Sequence, residues 1–199
     1  MKKAVEYEAV KKFPIFDGYI KHFGNISIDN EIPAMLSFFF IQGQVAVPYV
    51  RIYWGESHLD PRVHVFWIQS SRTGKSISWE FVGKILRECE IPSDLYTSGT
   101  DAGMIGSFHI EVDDSGEQTY IHKEGFLNRR KAINFDEGSI ILNPNKHSQE
   151  MVLYLQSACN PVGSENNKLV LHQKGGRLET ESLASLWITT YPPKGVKDY

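Results

Sequence analysis

The stretch Ser70-Ser71-Arg72-Thr73-Gly74-Lys75-Ser76 carries the residue types that hold a polyphosphate. It follows the apolar run Val63-His64-Val65-Phe66-Trp67-Ile68 and precedes a segment with helical spacing. A triphosphate bears several negative charges. A protein meets them with backbone N–H groups, a helix N-terminus and an ammonium. Here Gly74 would let the backbone close around the phosphates, Lys75 would reach the β and γ groups, and the Ser76 hydroxyl would sit on Mg²⁺. A nucleoside triphosphate with Mg²⁺ is the ligand this stretch predicts. One position departs from the usual pattern: Gln69 stands where a first glycine is customary, so the loop must open without a glycine's freedom at positive φ. A plain polar turn between strand and helix would also read this way.

A second group completes the chemistry. Ala132-Ile133-Asn134-Phe135-Asp136-Glu137 reads as a buried strand ending in two acids. Asp136 would hold Mg²⁺ directly or through a water, since this ion takes few carboxylates and keeps several waters. Glu137 would polarise an attacking water. Phosphoryl transfer is mostly positioning and charge stabilisation, so one such carboxylate beside the metal is sufficient. The competing reading is a solvent-facing acidic turn before Gly138.

The elements that must position these groups follow from periodicity and turn residues. Val5, Ala9, Val10 and Phe13 have helical spacing. An apolar helix begins at Ile32-Pro33, with Pro33 suited to the first turn. Val45 to Tyr53 is β-rich, and Glu56 to Pro61 reads as a polar loop. Ile77, Phe81, Ile85 and Val82, Leu86, Cys89 fall on one helical face that Pro92 ends. Leu95 to Ser98 reads as a short strand and Gly99 to Gly103 as a flexible loop. Ser107–Val112 and Gln118–His122 form a hairpin across Asp113-Asp114-Ser115-Gly116. Ser148 to Cys159 is helical. Lys168–His172 and Leu178–Glu181 form a second hairpin, and Ser185 to Thr190 is a last buried strand before Pro192-Pro193. Four strands alternating with helices and hairpins predict a parallel sheet with helices on both faces. Ligands then bind beyond the carboxyl ends of the strands. Ser70–Ser76, Asp136-Glu137 and Thr189-Thr190 all fall at such ends.

Composition bounds the partners. The chain has 199 residues, 41% hydrophobic and 23% charged, as a globular domain does. Its formal net charge of -3 gives no global attraction to nucleic acid, so any such contact must be local. Cys89 and Cys159 are too few for a disulfide framework and read as buried thiols of a reducing cytoplasm. No secretory leader pattern opens the chain. The apolar segment Ile32–Val50 is broken by Pro33, Gln42, Gly43, Gln44 and Pro48, too often to span a membrane. His64 and His109 lie in strand-like runs and read as structural. Trp54, Trp67, Trp79 and Trp187 are scattered and read as packing residues. Arg129-Arg130-Lys131 reads as a solvated cap, with a phosphate or inter-subunit contact as the alternative.

Gly74-Lys75-Ser76, Phe135-Asp136-Glu137 and Thr189-Thr190-Tyr191-Pro192-Pro193 occur in the order and spacing of AAA+ ATPases. The chain most closely resembles the branch with a β-hairpin before the sensor-1 strand, which includes the minichromosome maintenance helicases and their viral relatives. The resemblance covers about residues 63 to 193 and rests on short motifs and layout. It implies an α/β fold, a three-layer P-loop NTPase with a central, mostly parallel sheet, inserted hairpins and a helical N-terminal flank. Residues 1–60 would be the flank and 61–199 the core. It also implies Walker A roles for Lys75 and Ser76, with the loop Ser70 to Ser76 cradling phosphate, and Walker B roles for Asp136 and Glu137. Lys174, at the tip of the second hairpin, would track a DNA backbone; a solvated turn lysine is the equal alternative. Tyr191 stands where the family carries a sensor-1 asparagine, so either Thr190 supplies that polar contact or the contact is missing. An arginine finger, a sensor-2 arginine and a helical lid would normally follow Tyr199. Residues 1–199 alone are therefore expected to bind nucleotide weakly and hydrolyse it slowly.

The resemblance implies an intracellular Mg²⁺-ATP motor on DNA, single- or double-stranded, of viral or mobile-element type, ring-forming when complete and without a membrane partner. Two alternatives stay open: a nucleotide-binding assembly or regulatory module with little turnover, and a terminase-like DNA-packaging ATPase.

Overall fold

The computed structural model of the chain describes residues 14–26, 30–70, 73–96, 100–136, 138, 141, 149–173 and 175–192. Its centre is a four-stranded, wholly parallel sheet built from β3 (Val65–Ile68), β4 (Ser93–Tyr96), β7 (Ala132–Phe135) and β10 (Ser185–Thr190), in the order β3-β10-β7-β4. The last strand in sequence is inserted between β3 and β7, which brings three strand tips side by side. Thr190 pairs with Ile68 and Ile188 with Phe135, so Asp136, one residue on, emerges level with Thr189. The chain is an α/β protein.

Alternation along the strands splits the core in two. On β10, Leu186 and Ile188 face a cluster with Ile133, Phe135, Met151, Leu155, Leu169 and Leu178, whereas Trp187 faces Phe40, Val65, Val82 and Leu86. Successive strand residues point to opposite faces, so a strand with apolar residues at every position is buried on both sides. Two helices cover the Trp187 face. α2 (Glu31–Ala46) follows α1 (Pro14–Ile26) and is N-capped by Asn30, whose side chain accepts the Ile32 N–H at 3.0 Å. α3 (Lys75–Glu88) buries Phe81, Val82 and Leu86. Phe40 meets Trp187 edge-on at 5.2 Å, and Trp67 and Trp79 each lie 6.2 Å from Trp187. Three of the four tryptophans therefore form one packed group, while Trp54 is 82% exposed.

Several elements differ from their expected form. Val45 and Ala46 are not strand: α2 continues to Ala46, whose carbonyl accepts the N–H groups of Tyr49 and Val50. That turn uses the backbone groups a ladder would need, and Pro48 has no N–H to give. The expected polar loop contains a strand, β2 (Ser57–Leu59), antiparallel to β1 (Ile52–Trp54). β4 begins directly after Pro92 rather than at Leu95. The expected flexible loop is α4 (Asp101–Ile105), started by the Thr100 side chain, which accepts from Gly103 N–H at 3.2 Å. Cys89 and Cys159 are both exposed, because each sits where its helix has just ended. Among the described residues no helix is long and apolar enough to cross a membrane.

Both expected hairpins are present. β5 (Gly106–Val112) pairs with β6 (Gln118–Glu124), and α5 (Gln149–Ala158) leads to β8 (Lys168–Gln173), which pairs with β9 (Gly176–Glu181). The Gln173 side chain joins them, accepting Phe108 N–H at 3.0 Å and donating to the Gly106 carbonyl at 3.3 Å.

Arg62 holds this layer to the rest. Its guanidinium pairs with Asp60 and donates to the carbonyls of Ala158, Asn160, Ser182 and Ala184, the ends of α5 and β9. Burial alone would raise the Asp60 carboxyl. The hydrogen bonds and charge of Arg62, with the Val162 N–H, outweigh that and hold it below the usual carboxylate range. The basic run is structural as well. Arg130 donates to the carbonyls of Gln44 and Val45, and Lys131 is buried and pairs with Asp94; Arg129 alone stays on the surface, beside Glu124. The solvated-cap reading fails because the run crosses directly beneath α2.

Candidate functional site

The site forms where β3, β7 and β10 end. A cleft of about 210 Å³ is lined by Thr73, Gly74, Lys75, Ser76, Ile77, Asp136 and Tyr191. Thus the glycine-lysine-serine turn and the first acid after β7, far apart in sequence, face one space.

The turn after β3 is built as the sequence demands. Gly74 has φ 82 and caps α3. That left-handed conformation suits a residue without Cβ. The Thr73 hydroxyl donates to the Ser70 carbonyl at 3.0 Å, and the Ser78 hydroxyl donates to the Gly74 carbonyl at 2.8 Å. The N-terminus of α3 consequently opens on the cleft, with its first-turn N–H groups and partial positive charge. Gln69, the departure from the usual glycine, is held structurally. Its side-chain oxygen accepts the Trp67 indole N–H at 2.6 Å, and its own N–H donates to the Thr190 carbonyl at 3.1 Å.

Lys75 is 8% exposed. Its ammonium donates to the carbonyls of Gln69, of Ser70 at 3.3 Å and of Thr190 at 3.1 Å, and lies 4.3 Å from the centre of the Tyr191 ring. Ser76 is exposed on the cleft, as is Asp136. The Thr189 hydroxyl stands 3.2 Å from both the backbone carbonyl and the Oδ1 of Asp136 and fixes the carboxylate against the tip of β10.

The structure divides the expected roles of the last strand differently. Thr190 is 1% exposed and offers its carbonyl, while Thr189 contacts Asp136 and Tyr191 lines the cleft. The tyrosine was visible in sequence only as a departure. Its position one residue past two strand-terminal threonines is the signal that marks it as cleft-facing. Ser71, Arg72, Glu137 and Lys174 lie outside the described residues.

The donor set suits a metal-bound polyphosphate: the Asp136 carboxylate, the Ser76 hydroxyl, the Lys75 ammonium and a helix N-terminus around one cleft. Among the described residues no group of three or more His, Cys, Asp or Glu side chains gathers as a metal site of protein ligands alone. His64 stands in the β3–β10 seam, where its Nδ1 accepts the Leu186 N–H at 3.2 Å. Burial, helped by the Arg62 charge and opposed by Asp60, pushes its pKa down to about 4. It is a structural acceptor, and His109 is a surface residue bonded to Ser107.

The chain matches no protein-family model and shows no significant similarity to a curated protein sequence.

Proposed function

We propose that the chain is a P-loop NTPase of the AAA+ type, an Mg²⁺-ATP-binding and hydrolysing domain of a DNA-replication, helicase-like motor. The observation that carries the reading is the convergence of Lys75, Ser76 and Asp136 on one cleft at the tips of parallel strands. A left-handed glycine, a helix N-terminus and a lysine in immediate sequence are what phosphate capture requires. The hairpin β8–β9, directly before the Thr189-Thr190 strand, supports assignment to the hairpin-bearing branch.

In this reading the ammonium of Lys75 neutralises the β and γ phosphates and α3 presents its first N–H groups to them. Asp136 and Ser76 hold the magnesium ion, which screens the charge that develops on the phosphoryl oxygens. Glu137 orients the attacking water, and Lys174 follows a nucleic-acid backbone. The nucleic acid is DNA, and the working assembly is a homo-oligomeric ring.

The test is nucleotide binding and phosphate release by the parent chain and by Lys75→Ala, with and without DNA. The parent should bind Mg²⁺-ATP and lose measurable binding on the substitution. Equal binding and turnover by both proteins would remove the reading. A second reading, nucleotide binding for assembly with negligible turnover, is favoured by one observation: Tyr191, with no carbonyl or amide in its side chain, lines the cleft where the resemblance puts an asparagine. ATP binding without phosphate release in the presence of DNA would select it.

A further inference from the structure

We propose that the hairpin β1–β2 of one chain inserts into the apolar groove beside β3 of a second copy, a head-to-tail contact between two different surfaces of the same protein. The inference rests on the ring reading above only for what the contact closes into, and it supplies the two surfaces that such a ring needs.

Trp54 is the tryptophan left out of the packed group around Trp187. It, Tyr49 and Tyr53 are 82%, 80% and 76% exposed. Strand alternation puts Ile52, Trp54 and Leu59 on one face of the hairpin and Tyr53 with His58 on the other. An aromatic side chain carries about 150–250 Å², so three at this exposure present about 350–600 Å². Val50, Ile52 and Leu59 are exposed as well and enlarge the patch. The largest apolar patch on a typical monomer is about 300–600 Å², and each partner in a stable interface buries about 800 Å². The hairpin therefore offers the area of a protein interface. An isolated two-stranded hairpin is also marginal in water. His58, with Nε2 2.6 Å from the Val162 carbonyl oxygen, ties one face to the body, and the Trp54 face stands outward.

The second surface lies at the edge of the central sheet. β3 pairs with β10 on one side and with no described strand on the other. A groove of about 400 Å³ runs along it, lined by Ile32, Leu36, Phe66, Trp67 and Ile68 among others. Ile32, Phe66 and Ile68 are exposed there. No residue of the hairpin lines the groove, so the two surfaces do not cover each other within one chain. Pockets of about 300–1,000 Å³ hold drug-sized molecules, so this one has room for the Trp54 indole.

Edge strands that stay solitary carry charge or proline. Ile52-Tyr53-Trp54 and Val65-Phe66-Trp67-Ile68 carry neither. Each has a free row of backbone N–H and C=O groups and apolar side chains to bury, and each row satisfies the other by strand addition. One surface protrudes and the other recedes. Both halves of the pair stand on one chain, so a second copy is the occupant that covers both. A contact between unlike surfaces repeats from copy to copy, into a ring or an open filament.

The experiment uses the 199-residue chain, a hairpin variant (Trp54→Asp/Leu59→Asp) and a groove variant (Ile32→Glu/Phe66→Glu). Light scattering across a concentration series gives the mass of each, and thermal unfolding checks that each folds. Ile32→Glu alone is the reserve: the residue is exposed in the first turn of α2, where a carboxylate suits the helix N-terminus. The parent should assemble as concentration rises. Each variant alone should need about thirtyfold more protein, the loss of one central anchor. Their equimolar mixture should form a dimer at concentrations where each alone is a single chain, since one keeps the hairpin and the other the groove. A parent that stays a single chain overturns the proposal and gives the hairpin to a foreign partner. A groove variant that assembles as the parent does overturns it in favour of hairpin-to-hairpin pairing. A mixture that stays monomeric overturns the head-to-tail contact. Calorimetry with Mg²⁺-ATP keeps the two readings apart. A parent that binds ATP as a single chain loses this contact alone, and one that assembles without binding ATP loses the triphosphate reading alone.

Discussion

The Thr189 hydroxyl lies 3.2 Å from Oδ1 of Asp136 and 3.2 Å from its backbone carbonyl, joining the tips of β10 and β7. Strand register produces this contact: Phe135 pairs with Ile188, so the residues that follow each meet at the sheet edge. An exposed carboxylate at a strand end would otherwise sample several rotamers. Here a hydroxyl from the neighbouring strand selects one, on the side of the cleft that Ser76 and Lys75 share.

Thr189→Val keeps the shape of that side chain and removes the hydroxyl. It should cost about 1 kcal/mol of stability, the worth of one such hydrogen bond. If Asp136 serves the metal, affinity for ATP should fall in the presence of Mg²⁺ and stay close to the parent value in EDTA. Paired calorimetric titrations separate the two conditions. Equal weakening in both would disconnect Asp136 from the ion.

Arg62 and Asp60 form a buried pair, with side-chain exposures of 1% and 4%. Arg62→Met strands the Asp60 carboxylate and frees four backbone carbonyls, so it should cost about 3–5 kcal/mol. Arg62→Lys should recover little, since an ammonium cannot present the planar fork that spans Asp60 and the ends of α5 and β9. The double variant Asp60→Asn/Arg62→Met should be more stable than Arg62→Met, because the stranded charge is gone. Urea midpoints of the parent, these three variants and Asp60→Asn test this. A double variant as damaged as the sum of its singles would argue for independent roles.

The meeting of Gly74-Lys75-Ser76 with Asp136 at one sheet edge was legible in sequence because these parts are local and chemically distinctive. Gly74-Lys75-Ser76 follows a strand and opens a helix, and consecutive apolar residues such as Ala132-Ile133 and Leu186-Trp187-Ile188 mark two-sided strands. Both hairpins were signalled by their turn residues. What stayed hidden is long-range. The fork from Arg62 to carbonyls about a hundred residues away leaves no periodic trace. Neither does the half-burial of Arg130 against the end of α2, nor the burial of Lys131 beside Asp94, since a basic run is ordinarily solvated. The short elements β2 and α4 were missed for another reason: three or five residues give no period, and their pairing or capping partners decide them.

His64 links β3 to β10 in a pH-dependent way. Its Nδ1 must be unprotonated to accept the Leu186 N–H. The folded pKa is about 4 against 6.5 for the free side chain. Between those values the unfolded chain binds a proton that the folded chain refuses, so stability falls as pH drops from 6.5 to 4. The loss reaches about 3 kcal/mol at full titration. Asp60 acts lower. Its depressed pKa supplies stability that is complete above the unfolded value of 3.8 and is lost as pH falls through the folded one. Urea unfolding at pH 7.5, 5.5 and 4.5 should show the first loss, and His64→Gln should flatten it while keeping the acid limb below pH 4. An unchanged slope in that variant would assign the loss elsewhere.

The two hairpins meet through Gly175 and Phe108. A Cβ on residue 175 would lie 2.6 Å from the Phe108 Cβ, closer than carbon atoms pack, so the tip of β8–β9 sits directly on β5. Gly175→Val should force the hairpins apart and cost about 1–3 kcal/mol, as overpacking does. Phe108→Gly removes both that Cβ and the ring, and should lose its own packing contribution. Because the two residues touch, their effects should not add: the double variant should be more stable than the sum of the singles by about 0.5–3 kcal/mol. Thermal unfolding of the four proteins measures that coupling. The same set tests the role assigned to the hairpin tip. Affinity for single-stranded DNA should fall in Gly175→Val and recover in the double variant, since Lys174 adjoins the displaced residue. Coupling in stability with no change in DNA affinity would leave the contact structural and take the hairpin out of the DNA path.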